Sequence, residues 1–390
     1  MTAMIFTAMP MFVCLFWSVM LTLDMLTEGR SRQRTCLLIF MLSASVLYFG
    51  HCVFFNHNTE LIPVSDTLYC AANLSVYPLY YIYICELTTR KEHLRTYWLF
   101  IVPAIVAGLS VGVLYSMMTK EESAMFINGY LYDNVRTVTT PLVELQVFIH
   151  DTCKVMFALI LVPILVNGLR RINRYEALLR ATYADLEDKS LGMLHHMLIM
   201  FVAISLLSFV ANIIGRAYFD ETSWLISIPS MLFSMLLFTL GYAGYRQRFS
   251  MRDIESDEQM ADEAVDETTN ISELRTRIEQ LMVQERLYLS PNLKIVDLVK
   301  QLNTNRNYIY QAINRGKGIS FTEYVNGMRI DYAKNLIERY PEMTLAEVAL
   351  KSGFSSSTSF YRNFKSLTGM GPKDYLDSVK NKANKTIQNN

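Results

Sequence analysis

Up to about residue 250 the chain consists of long apolar runs broken by short charged interruptions, after which it becomes polar and charged throughout. A run of about 20 apolar residues is long enough to cross a hydrocarbon core. Seven such runs stand at about residues 4–23, 36–55, 66–87, 97–118, 142–167, 193–214 and 224–245. They predict seven membrane-spanning helices whose two ends lie on opposite sides. The later part reads as short amphipathic helices, so the expected fold class is all-α: a seven-helix transmembrane bundle followed by a soluble helical domain.

Charge sharpens this division. The whole chain balances 36 basic against 36 acidic residues, but the balance averages two unlike parts. Lys and Arg are retained on the cytoplasmic face of a membrane protein. One set of connections carries fourteen of them: Arg30, Arg32, Arg34, Arg90, Lys91, Arg95, Arg170, Arg171, Arg174, Arg180, Lys189, Arg246, Arg248 and Arg252. The opposite set carries only Lys120, Arg136 and Arg216. The expected topology is therefore multi-pass in the cytoplasmic membrane, with the N-terminus outside and the C-terminal part inside. No positive charge precedes the first apolar run, so a cleaved signal peptide is not expected. The six cysteines, Cys14, Cys36, Cys52, Cys70, Cys85 and Cys153, lie in apolar runs and read as small core residues without metal-ligand spacing. Cys52 and Cys70 fall near the outer ends of neighbouring spans, where a disulfide is conceivable.

The closing stretch VALKSGFSSSTSFYRNFKSLTGMGPKDYL carries the most specific pattern. Thr344 and Glu347 form a capping box that starts a helix. Ala349 supplies a small side chain for a close helix crossing, and Gly353 supplies the left-handed turn that ends the helix. Ser355 or Ser356 can cap the next helix, which buries Phe360 and Phe364 and turns Tyr361, Arg362 and Lys365 outward. This is a helix-turn-helix, which presents its second helix to the DNA major groove. The same grammar recurs in KIVDLVKQLNTNRNYIYQAIN, with Val299 and Asn303 in place of Ala349 and Gly353, and Thr304 as the expected cap. There Ile309, Ala312 and Ile313 face inward, and Asn307, Tyr310 and Gln311 outward. Between the copies, Ser320 and Glu323 form another capping box. It opens a connecting helix with Phe321, Val325, Met328, Tyr332 and Leu336 on one stripe. A rigid connector of this kind can set two recognition helices about 34 Å apart, one duplex turn.

On these residues the chain from about 280 to 377 resembles the tandem helix-turn-helix domain of the AraC/XylS family of bacterial transcription regulators. The matching segments are GKGISFTEYVNGMRIDYAKNLI and AEVALKSGFSSSTSFYRNFKSLTGMGPKDYL. The resemblance implies helix-turn-helix units at about 294–314 and 344–366 and double-stranded promoter DNA as partner. The sequence shows no phosphate loop, Gly-rich dinucleotide turn, nucleophile elbow or metal-ligand spacing, so no enzymatic activity, cofactor or metal is expected. The resemblance also implies base contacts from Asn307, Tyr310 and Gln311 in the first unit and from Ser357, Thr358, Tyr361 and Arg362 in the second. Asn and Gln can bond adenine and Arg can bond guanine, while Arg306 and Lys365 suit phosphates. The alternative for any one of them is a solvated helix face. The acidic linker and multi-helix membrane part resemble membrane-anchored members of the same family by architecture. The expected domains are a membrane domain over 1–249, an acidic linker over 250–270 and a DNA-binding domain over 271–390.

Residues 286–390 hold 16 basic and 8 acidic residues, as phosphate binding requires, whereas 253–285 hold 2 basic and 11 acidic. The acidic run is either a self-repelling spacer or a shield over the basic face. Ile271, Leu274, Ile278 and Leu281 fit heptad positions until Glu285, which leaves a short coiled coil and packing against the DNA-binding domain both open. The family resemblance keeps a homodimer open.

The fifth run is the one that suggests sensing. Cys153 to Val166 is too short to cross a bilayer, so the span must take in His150, Asp151 and Lys154. Charges inside a membrane face a bundle interior or a wet cavity, which makes these three the expected site for a small-molecule or membrane signal, with Asn73 and Tyr77 nearby. The alternative is a helix protruding above the lipid with an exposed ion pair. Residues 170–190 are amphipathic and either touch the DNA-binding domain or lie along the inner surface. The sum is a membrane-bound transcription regulator; a transporter with a regulatory tail and a passive anchor are the competing readings.

Overall fold

The computed structural model describes residues 2–89, 98–135, 140–187, 189–214, 223–262, 271–314 and 318–388. Arg90, Lys91, Arg95, Arg136 and Arg216 of the charge comparison, residues 263–270 of the acidic run, and Gly316 and Lys317 of the quoted motif lie outside the described residues. Apart from one isolated backbone bridge, the regular elements among the described residues are helical. They form two compact units: residues 1–173 with 191–250, and residues 174–190 with 251–390.

The first unit is built from α1 (Thr2–Glu28), α2 (Arg32–Phe55), α3 (Ile62–Thr88), α4 (Val102–Met117), the short α5 (Lys120–Met125), α6 (Pro141–Thr182) up to residue 173, α7 (Gly192–Ile214) and α8 (Ser223–Arg246); the last turns of α6 belong to the second unit. A 3-10 turn, Trp98–Ile101, leads into α4, and α5 runs on into a π-helical stretch, Phe126–Tyr132. Among the described residues, α1, α2, α4 with its leading turn, α6 and α8 lie in five apolar segments long enough to cross a membrane; α7 includes a shorter apolar stretch. Their outer faces carry exposed apolar side chains of the kind that lipid accepts: Leu109 on α4 is 65% exposed and Leu159 on α6 is 68% exposed.

Helix α3 is absent from the five because Asp66, Asn73 and its five tyrosines lower its hydropathy. Most of its residues are nevertheless buried, since α2 and α4 pack along it. A helix surrounded by other helices needs no lipid-compatible surface, and its polar groups find partners inside the bundle. Glycines on α4 allow the closest of these contacts. A Cβ at Gly108 would stand 2.7 Å from that of Ala71, and one at Gly112 would stand 2.9 Å from Cγ2 of Thr67, the small-residue packing expected between membrane helices. All the cysteines are free, so Cys52 and Cys70 are not joined.

The second unit comprises α9 (Met251–Asp262), α10 (Ile271–Gln284), α11 (Ile295–Leu302), α12 (Arg306–Asn314), α13 (Phe321–Arg339), α14 (Leu345–Lys351), α15 (Ser357–Thr368) and α16 (Pro372–Gln388). Two cores share α13. Its first half gives Phe321 and Val325 to a cluster with α10, α11 and α12, and its second half gives Ile330, Ala333, Leu336 and Ile337 to a cluster with α14 and α15. This revises the single stripe expected of the connector, where Met328 and Tyr332 are only partly buried. The register shifts because one helix must face two packed bodies in different directions. Leu274, Ile278 and Met282 of α10 are buried in the first cluster, so the apolar seam of that helix is used within the chain.

Candidate nucleic-acid interface and helix-bundle cavity

Each helix-turn-helix depends on a left-handed residue at its turn. Asn303 holds φ 49° and Gly353 holds φ 83°, conformations that asparagine tolerates and glycine adopts freely. Gly353 has a second reason to lack a side chain, since an added Cβ would stand 2.7 Å from the Cα and carbonyl oxygen of Leu289. Thr344 and Glu347 form the expected capping box, and the Ser356 hydroxyl caps α15 by accepting from the Ser359 N–H at 3.1 Å. In the first unit the cap is Asn305, whose side-chain oxygen accepts from the Tyr308 N–H at 3.0 Å. Thr304 is fully buried instead, so the expected cap is displaced by one residue. A left-handed Asn303 points the chain inward there, and the next polar side chain is the one in reach of the helix end.

The outward faces of α12 and α15 carry the expected reading residues. Asn307, Tyr310 and Gln311 are exposed on α12, and Ser357, Thr358, Tyr361, Arg362 and Lys365 are exposed on α15. Ile309, Ala312, Phe360 and Phe364 are buried beneath them. Asn326 on α13 donates to the Asn363 side chain on α15 at 3.2 Å, which fixes the rotation of that helix.

Arg329 on α13 ties the two halves together. It is 1% exposed, donates to the carbonyls of Tyr288 and Ser290 at 2.7 Å each, and stacks 5.6 Å from the Phe354 ring centroid. Burial lowers its pKa to about 10, still high enough to keep the charge at neutral pH. Sequence periodicity gave no sign of this residue, because an arginine among apolar positions reads as exposed.

The same unit contains residues 174–190, and they lie against the expected DNA face. Tyr183 and Ala184 are buried; the Ala184 N–H donates to the Leu293 carbonyl at 3.1 Å, and the Tyr183 carbonyl accepts from the Thr322 hydroxyl at 2.5 Å. Arg306, expected on phosphate, is half-buried and donates to the Thr182 hydroxyl at 2.6 Å. Asp185 accepts from Ser355, and Glu187 accepts from both Ser355 and Ser356. One segment therefore occupies polar groups of both helix-turn-helix units. Its carboxylates stand at the start of α15, where the unpaired N–H groups of a helix attract phosphate.

A separate cavity of about 270 Å³ lies in the first unit, with Asp66, Cys70, Asn73, Tyr77, His150 and Lys154 among its lining. Four of these were expected near the signal site. Asp151 does not line the cavity; it pairs with Lys154 at 3.5 Å and accepts from the Tyr130 hydroxyl at 2.6 Å. The Lys154 ammonium donates to that same hydroxyl at 2.9 Å. The acid that faces the cavity is Asp66, at the edge of the third apolar run; its carboxylate is 2.9 Å from His150 Nε2 and accepts from the Tyr115 hydroxyl at 2.9 Å. Asp66, Cys70 and His150 form a group able to hold a metal ion, with ligand atoms all within 4.8 Å of one another.

Known proteins match part of this chain. The family model described as a helix-turn-helix domain matches residues 298–378. The Msm operon regulatory protein of Streptococcus mutans is 32% identical over 90 residues, which cover 23% of this chain and 32% of that protein. An uncharacterized HTH-type transcriptional regulator of Staphylococcus aureus strain MSSA476 is 29% identical over 99 residues, covering 25% of this chain and 13% of that protein. The chain thus spans a third or less of the length of these curated relatives. No solved structure gives a significant match.

Proposed function

We propose that this chain is a membrane-bound transcription regulator that binds promoter DNA through two helix-turn-helix units and responds to a signal perceived by its membrane unit. The observation that carries the reading is the row of exposed polar residues on α12 and α15, each on the second helix of a helix-turn-helix with a buried apolar underside. On this reading Asn307, Tyr310, Gln311, Ser357, Thr358, Tyr361 and Arg362 contact bases, and Lys365 contacts phosphate. The excess of 16 basic over 8 acidic residues in 286–390 and the regulator names of the relatives agree with it.

All seven long helices of the first unit cross the membrane on this reading, with the N-terminus outside and the second unit in the cytoplasm. His150 and Lys154 with Asn73 and Tyr77 line the signal cavity, and Asp151 holds Lys154 in place. Residues 182–187 act as a cover: Thr182 occupies Arg306, while Asp185 and Glu187 occupy the start of α15. Release of this cover frees Arg306 for phosphate and removes two negative charges from the path of the DNA backbone.

The test is selection from a randomised duplex pool by the full chain in nanodiscs. The expected product is a sequence with two half-sites about one helical turn apart. Arg362→Ala should cost about 1–3 kcal/mol and relax the preference at one base pair. A pool that emerges without enrichment rejects the reading.

A further inference from the structure

We infer that the first unit contains a metal site of the zinc class, formed by Asp66 and Cys70 on α3 with His150 and Cys153 on α6. The inference rests on the packing of the membrane unit alone and holds or fails independently of DNA binding.

The four residues come as two helical pairs. Asp66 and Cys70 are one turn apart, and His150 and Cys153 are three residues apart, so each pair occupies one face of its helix. Packing brings the pairs together: His150 Nε2 is 2.9 Å from Asp66 Oδ2 and 3.5 Å from Cys70 Sγ, and Cys153 lines the same cavity. Cys70, His150 and Cys153 are 4%, 7% and 7% exposed. Metal–nitrogen and metal–oxygen bonds of about 2.0–2.2 Å and metal–sulfur bonds of about 2.3 Å give tetrahedral edges of about 3.3–3.8 Å. The ligand atoms of Asp66, Cys70 and His150 lie within 4.8 Å of one another, and Cys153 completes the shell when its side chain turns toward them.

The hydrogen bonding around His150 is the independent observation. Its Nδ1 lies 2.9 Å from the Gln146 carbonyl oxygen. A carbonyl only accepts, so Nδ1 carries a hydrogen and Nε2 is the ring atom that faces Asp66 and Cys70. Either a metal ion or a proton can lie between Nε2 and the carboxylate oxygen 2.9 Å away, and the cobalt titration separates the two. Histidine ligands of metals are oriented in this way, with the second nitrogen bonded to a backbone carbonyl or carboxylate. The Tyr115 hydroxyl supplies the matching outer contact on the Asp66 carboxylate. Two sulfurs, one imidazole and one carboxylate suit zinc; calcium and magnesium prefer all-oxygen shells. The site borders the cavity, which gives an ion a way in.

The experiment is a cobalt titration of the reduced, full-length protein in nanodiscs, followed by displacement with zinc. One equivalent of cobalt should produce tetrahedral visible bands and thiolate-to-cobalt charge-transfer absorption, both abolished by zinc. Cys70→Ser should remove the charge-transfer intensity of one sulfur. Tyr115→Phe, which leaves every ligand in place, should weaken affinity by about ten- to a hundredfold. If wild-type protein of native helicity shows no charge transfer, or binds cobalt no better than Cys70→Ser, the inference is overturned. His150 is then an imidazolium bridged to Asp66 by a proton.

Discussion

The two helix-turn-helix copies solve one geometric problem with different residues. In the second, the turn is pressed against the Leu289 backbone, and only glycine fits the space as well as the dihedral angle. In the first, Asn303 is exposed and has only the dihedral angle to satisfy. The departure of the first copy from the glycine pattern is therefore a sign of local room. The caps differ in the same manner: Asn305 serves one copy and Ser356 the other, and only Ser356 is also bonded to an acidic side chain of residues 174–190.

The most forceful way to break the comparison is to remove what joins the copies. Arg329→Ala leaves the Tyr288 and Ser290 carbonyls without their donor and opens a void beside Phe354, a loss of about 3–5 kcal/mol. Both copies should lose hydrogen-exchange protection together; loss confined to α14 and α15 would show that they are energetically separate. Gly353→Ala should come next, at about 2–4 kcal/mol from backbone strain and the approach of Leu289. Here α14 and α15 should open while α11 and α12 stay protected. Asn303→Gly, the corresponding change in the first copy, should move stability by less than about 0.5 kcal/mol, and a larger effect would contradict the account of the turns.

A change of charge tests the cover. Asp185→Asn with Glu187→Gln should tighten DNA binding by about tenfold at low salt, with a smaller gain at high salt. Measured affinities that match the parent at every salt concentration would reduce the segment to a structural prop. The smallest effect is a pH dependence. Hydrogen bonds from the Thr344 hydroxyl and backbone N–H hold the Glu347 carboxyl below its ordinary range. Its contribution is complete above the unfolded value near 4.5 and is lost as pH falls through the lower folded value. Glu347→Gln should flatten that part of the acid unfolding curve, which circular dichroism can follow.

Local grammar made much of the second unit legible: capping boxes at Thr344 and Ser320, the left-handed positions 303 and 353, and the inward aromatic pair on α15 all depend on residues within one or two turns. Apolar run length likewise located the long helices of the first unit. Arg329 was not legible, and contact by residues 170–190 stood only as one of two alternatives with no partners named, because these interactions join residues 39 to 170 positions apart and leave no periodic trace. Asp66 and Cys70 escaped for a related reason. Each pair of candidate ligands is unremarkable on its own helix, and only the packing of α3 on α6 shows that the pairs meet.

The second unit is discontinuous in the chain, and that sets conditions on its assembly. Residues 174–190 leave the ribosome well before 251–390 and wait, tethered between two hydrophobic helices, for the body they complete. A fragment that begins after the last long apolar helix lacks Ala184, a member of its first core, and the buried Tyr183 next to it in sequence. Grafting 174–190 back onto such a fragment, in trans or through a linker, is the direct route to a soluble version with the native interior.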